Sequence, residues 1–106
     1  MKQLYEHHAE VCKTLANPKR LEIINLLRSG EKSVALLLRE TGLLKANLSQ
    51  HLSLMRNKSI IHARKEGLSV FYSIANPKII KACDLMREVL FEQLEERKEA
   101  LRKWKT

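Results

Sequence analysis

The sequence is short of punctuation. Three glycines and two prolines among 106 residues are too few for an all-β sandwich, which needs a turn about every 8–12 residues. Aromatic residues make up only 5%, which argues against a platform on which single-stranded bases stack. Cysteine is confined to Cys12 and Cys83. They form no CxxC pair and no framework of several disulfides, so any bridge between them is regulatory or incidental. The longest apolar run, residues 34–38, falls far below the ~20 residues that span a bilayer. The start of the chain, Met1 to His8, has no apolar stretch of signal-peptide type. A cytoplasmic chain without membrane contact is therefore expected. There is no Gly-rich phosphate loop, no pair of acids with a polar-pocket signature and no nucleophile elbow, so an enzyme is not expected.

What is present is ordinary for one soluble domain: 44% hydrophobic and 30% charged residues. At this length roughly two-thirds of the unfolded chain's surface can be buried, enough for one core. The charge is unbalanced. Twenty Lys and Arg against twelve Asp and Glu leave a formal net charge of +8, which favours a polyanionic partner without specifying a fold.

Hydrophobic spacing divides the chain. Leu4, His8, Val11, Cys12 and Leu15 recur at helical intervals over residues 2–16. Asn17-Pro18 breaks that helix and opens a second, which carries Leu21, Ile24 and Leu27 and stops at Ser29-Gly30. Ser33 is an N-cap candidate for a third helix bearing Val34, Leu37 and Leu38 and ending at Thr41-Gly42. Residues 44–56 then place Leu48, Leu52 and Met55 on one side, with Lys45, Asn47, Ser49, Gln50 and Ser53 between them. Two short helices around a tight Gly-containing turn, the second with a polar outer face, read as a helix-turn-helix.

The period then changes to two. Residues 61–64 and 70–74 read as strands joined through Lys65-Glu66-Gly67-Leu68, a hairpin with Gly at its turn. Asn76-Pro77 opens a last helix that nothing interrupts. About 28 residues of helix extend ~42 Å, more than the diameter of so small a domain. Part of it must project or pack on another subunit, which argues for a homodimer.

The expected fold is mainly α with a β-hairpin wing (α+β): a single winged helix-turn-helix domain over residues 1–106 with a long C-terminal dimerisation helix. Residues 1–16 and 77–106 are the first and last helices, 33–56 the helix-turn-helix and 60–75 the wing. A recognition helix of this kind fits the major groove of double-stranded DNA. Asn47 and Gln50 have paired donors and acceptors suited to adenine, and Lys45 suits guanine or a phosphate. Ser49 and Ser53 allow close approach, and Arg64 and Lys65 on the hairpin suit phosphates or a narrow minor groove. Residues 44–67 hold five Lys/Arg and one acid, so the positive excess is concentrated there. The same polar helix face also suits a winged-helix module for protein–protein assembly without specific DNA binding.

Several short motifs together resemble the ArsR/SmtB family of repressors. They are Leu15-Ala16-Asn17-Pro18-Lys19-Arg20-Leu21, Ser29-Gly30-Glu31-Lys32-Ser33-Val34, Leu48-Ser49-Gln50-His51-Leu52, Arg64-Lys65-Glu66-Gly67 and Phe71-Tyr72-Ser73-Ile74. The resemblance implies a homodimer formed through the first and last helices. It also implies an inverted-repeat operator and repression relieved by an inducer. By position it puts Lys45, Asn47, Ser49, Gln50 and His51 at or beside the major groove, and Arg64 and Lys65 on the wing. Two positions depart from the family. Leu44 stands where a capping Ser is common. Ser59 stands where Gly is usual, and a positive φ there would cost about 1 kcal/mol.

The family's metalloid site needs thiolates where this chain has Ser33-Val34-Ala35. Its zinc site would fall on Asn76, Lys78, Val89 and Glu92, of which only Glu92 suits a cation. No metal site and no cofactor are therefore expected. The local motifs are most similar to the branch that senses persulfides through paired cysteines, but Asn25 occupies one of that branch's cysteine positions. Cys12 and Cys83 remain a candidate redox or sensor pair, for a thiol-reactive inducer or a trivalent metalloid. Two small buried core residues are the alternative. His8 is expected on the packing face of its helix and His7 in solvent. His62 is expected on a wing strand, and Leu101 and Trp104 either against a partner subunit or at a frayed end.

Overall fold

The computed structural model describes residues 1–105. Among them five α-helices and three strands follow in the order α1 (Lys2–Leu15), α2 (Pro18–Leu26), β1 (Lys32–Ser33), α3 (Val34–Thr41), α4 (Lys45–Asn57), β2 (Ile61–Glu66), β3 (Ser69–Ile74) and α5 (Lys78–Lys105). A 3-10 turn, Leu27–Ser29, finishes α2.

Local chemistry sets the junctions. Asn17 is extended, and its side-chain oxygen accepts from the backbone N–H groups of Lys19 and Arg20 at 2.9 and 3.1 Å. This cap precedes Pro18, whose missing N–H costs nothing at the first helical position. Ser33 caps α3 by accepting from the Leu36 N–H at 3.1 Å. Gly42, at φ +67, ends α3 in the left-handed region. The Thr41 hydroxyl donates to the Leu37 carbonyl and accepts from the Leu43 N–H, which holds the α3–α4 turn tight. Leu44 gives α4 no side-chain cap, and Ser59 has φ +59. Both departures noted in the sequence are thus real backbone features.

One core lies between these elements. Ile23, Ile24 and Leu27 meet Leu37 of α3, Leu48, Leu52 and Met55 of α4, Ile60 and Ile61, and Ile80 of α5. Each such side chain contributes about 1.5–3 kcal/mol when fully buried. Tyr72 and Ile74 pack on this core from β3.

The sheet is antiparallel in the order β1-β3-β2. The hairpin is longer than the sequence suggested: Lys65 and Glu66 are strand residues paired with Val70 and Ser69. The turn is reduced to Gly67-Leu68. Gly67 has φ +60 and Leu68 does not, the pattern of a type II′ hairpin. The third strand, β1, is an addition to the expected two-stranded wing. Its two residues are too few for alternation to appear in a sequence.

Ile80 is the buried residue of α5, and the rest of this 28-residue helix runs outward. The molecule is 63 Å long with a radius of gyration of 17.2 Å, against about 13 Å for a compact chain of this size. Leu90, Phe91, Leu94, Leu101 and Trp104 are all exposed along it, as are Leu4 and Tyr5 on α1. His8 and Cys12 are exposed as well, so the expected packing role of His8 is not met within the protomer. Cys83 is half-buried. Neither cysteine belongs to the protomer's core.

Candidate nucleic-acid interface

Three buried residues orient α4. With Leu48, Leu52 and Met55 turned inward and 3.6 residues per turn, the opposite arc is centred on Ala46, Gln50 and Ser53. Ser49 lies to one side and Asn47 to the other. All five are exposed. Lys45 and Arg56 flank the Ser49 edge, exposed and, among the described residues, without an ion-pair partner. The helix therefore offers amides and hydroxyls at its centre and cations along one margin. Ala46 was not foreseen: it has no polar group, and only the helical period points to it.

His51 is placed differently. It is half-buried, and its Nδ1 accepts from the Nε–H of Arg20 at 3.0 Å. A second donor of Arg20 reaches the Thr14 carbonyl at 3.0 Å. Burial, and then the neighbouring Arg20 charge, push the His51 pKa below its ordinary value. Sequence reasoning put His51 beside the groove but did not find Arg20 as its partner.

On the wing, Arg64 donates from Nε and one Nη to the two oxygens of Glu31 at 3.0 and 2.7 Å, and from its other Nη to Glu66 at 2.7 Å. Its Cζ lies 4.8 Å from the centre of the Phe71 ring. These bonds raise the Arg64 pKa, and the guanidinium lowers that of Glu31. Lys65, on the opposite face of the strand, is exposed and has no such partner among the described residues. His62 is exposed on β2, and Leu68 is fully exposed at the tip. Lys58 pairs with Glu10 of α1 at 3.8 Å. Of the cations between residues 44 and 67, Lys45, Arg56 and Lys65 are thus unpaired among the described residues, whereas Lys58 and Arg64 are paired.

Away from this surface, Ser33 and Asn76 are occupied as helix caps. Among the described residues no group of three His, Cys, Asp or Glu side chains is arranged to hold a metal ion. Cys12 and Cys83 are free thiols. No helix of the described residues is long and apolar enough to cross a membrane.

Residues 17–63, from the cap of α2 into β2, match the bacterial regulatory protein family arsR. The chain belongs to the ArsR family. An uncharacterized HTH-type transcriptional regulator of Mycobacterium tuberculosis is 41% identical over 95 residues, covering 89% of this chain and 83% of its own. Its crystal structure matches with a TM-score of 0.81 over 89% of this chain and 95% of the other. The solution structure of the homodimeric winged helix-turn-helix DNA-binding domain of a possible ArsR-family transcriptional regulator from Mycobacterium bovis also matches with a TM-score of 0.81. It is 33% identical and covers 90% of this chain and 88% of that one. The transcriptional repressor PagR of Bacillus anthracis is 39% identical over 75 residues, 70% of this chain and 75% of its own. The fold of this ArsR-family chain is accordingly a winged helix-turn-helix, with α3 and α4 as its two helices and β2–β3 as its wing.

Proposed function

We propose that the protein is a homodimeric DNA-binding repressor, acting in the cytoplasm on an inverted-repeat operator and released by an inducer. The observation that carries this reading is the exposed arc of α4, where Asn47, Ser49 and Gln50 stand free between the core-facing leucines and the unpaired Lys45. In this reading Gln50 and Asn47 read adenine edges, Lys45 and Lys65 neutralise phosphates, and Ser49 lets the helix approach closely. His51 and Arg64 lie beside the groove, each already held by protein partners. The homodimeric domain of the Mycobacterium bovis relative supports a pair, and the exposed apolar faces of α1 and α5 are the surfaces this protomer offers for it. Such a pair presents two reading helices about one DNA turn, 34–36 Å, apart.

The thiols fit an inducer role. Cys12 lies seven residues from Tyr5, and Cys83 seven from Leu90; two turns of helix return them to the same exposed apolar faces. Oxidation, persulfidation or arsenite capture there would act on the dimer. Mass spectrometry after exposure to persulfide, arsenite and zinc tests this branch, and Cys12→Ser and Cys83→Ser should leave DNA binding by the reduced protein intact.

The test of the main reading is a mobility shift on DNA upstream of the protein's own gene. Saturable, sequence-dependent binding is expected, lost on Gln50→Ala and strongly weakened on Lys65→Glu. Binding that ignores sequence and survives both substitutions would support an assembly module instead.

A further inference from the structure

Arg64 crosses the whole sheet. It stands in β2, one edge strand; its cross-strand neighbour Phe71 is in the central strand β3; and Phe71 pairs in turn with Ser33 of the other edge strand, β1. The guanidinium lies over the Phe71 ring and ends on Glu31, just ahead of β1. β1 is only two residues long, so its own ladder offers few hydrogen bonds.

We propose that Arg64 is a positioning residue that straps the wing to Glu31, and that it does not serve as a phosphate contact. This rests on reading α4 and the wing as a DNA surface. Of the five N–H donors of a guanidinium, three are committed to carboxylate oxygens, and one face is covered by Phe71. One arginine against two glutamates leaves the group with a charge of −1, so a phosphate arriving here meets repulsion. Isolated exposed ion pairs hold little, but a bidentate arginine in a network that also stacks on a ring is the exception. The strap fixes where the hairpin points, and Lys65, on the other face of the same strand, is the cation left for the DNA backbone.

Two measurements test the strap. In the free protein, amide hydrogen exchange at residues 64–66 and 69–74 should rise about tenfold in both Arg64→Ala and Glu31→Gln, with exchange in α4 unchanged. In binding assays at several salt concentrations, Lys65→Ala should reduce the magnitude of the slope of log K against log salt by about 1.8 for the dimer, about 0.9 for the one phosphate lost by each protomer. Arg64→Ala should weaken binding while leaving that slope as in the wild type. Wing exchange that does not respond to either substitution would overturn the proposal. So would an Arg64→Ala slope reduced as much as that of Lys65→Ala. If the protein binds no DNA, the proposed function falls, and the exchange measurement still decides the strap.

Discussion

Arg20 binds His51 across 31 positions of sequence, Nε–H to Nδ1 at 3.0 Å, while its Nη1 donates to the Thr14 carbonyl. One side chain at the start of α2 thus joins the end of α1 to the middle of α4. Because Nδ1 accepts, the neutral imidazole carries its proton on Nε2. Protonating Nδ1 removes the acceptor and sets a second cation beside the guanidinium. α1 carries part of the proposed dimer face and α4 the proposed reading face, so this contact is a physical link between them.

The link predicts a pH dependence. The folded chain resists protonation of His51, whereas the unfolded chain takes the proton near pH 6.5. The stability contributed is complete above about pH 6.5 and disappears as pH falls through the lower native value. Urea midpoints measured from about pH 8 down to 5 should therefore fall more steeply for the wild type than for His51→Gln, which keeps an acceptor but no titrating group. Parallel profiles would remove the link.

Ser59 makes a prediction of the opposite sign. Its φ of +59 puts a β-carbon in the left-handed region, at a cost of about 1–2 kcal/mol for a non-glycine residue. Glycine removes that cost and gives back about 0.5–1 kcal/mol through its greater freedom when unfolded. Ser59→Gly should stabilise the protein by up to about 1.5 kcal/mol, and Ser59→Val should destabilise it. Urea unfolding at one fixed protomer concentration measures both.

These contacts also mark how far the sequence could be read. The capping of α2 by Asn17-Pro18, the Ser33 cap and the Gly42 stop are short-range chemistry, visible in a few adjacent residues. The apolar spacing of Leu48, Leu52 and Met55 likewise showed which face of α4 is free. What stayed hidden is non-local or very short. The Arg64–Glu31 pair spans 33 positions, and β1 is two residues long. Counting cations located the basic region, but only the folded arrangement distinguishes Lys65, unpaired among the described residues, from Arg64, which is already neutralised. The alternative of two buried core cysteines is not met within the protomer for a related reason: a small apolar residue on a helix face signals burial without saying in which subunit.

Asp84 is the main polar tie of α5 to the rest of the domain. Its carboxylate accepts from Arg28 at 2.6 and 2.9 Å and from Arg87 at 2.7 Å. Those hydrogen bonds, Arg28 first, hold its pKa at about 2. Its contribution is therefore present above the ordinary carboxylate range and vanishes as pH falls through about 2. In a carbon-detected NMR titration, Asp84 should be the lowest-titrating carboxyl followed, and Arg28→Ala should return it toward the usual aspartate value near 3.9. An Asp84 titration unmoved by Arg28→Ala would show that the pair does not persist in solution.

Exposure alone does not identify a dimer face, and a comparison of two leucines shows why. Leu68 is fully exposed and Leu90 is half exposed, yet Leu68 stands alone at a hairpin tip. Leu90 lies in a run with Leu94 and Leu101 on a helix that leaves the domain. Isolated surface leucines are common, whereas a continuous apolar stripe marks a surface that is covered. Leu90→Glu should therefore weaken self-association by about 2 kcal/mol or more, roughly thirtyfold, if it sits near the centre of the interface. Leu68→Glu should leave self-association unchanged. Sedimentation equilibrium over a range of protein concentrations separates the two. A wild-type protein that remains monomeric, or a Leu90→Glu variant that associates like the wild type, would move the covered face away from α5 and take with it the spacing of the two reading helices.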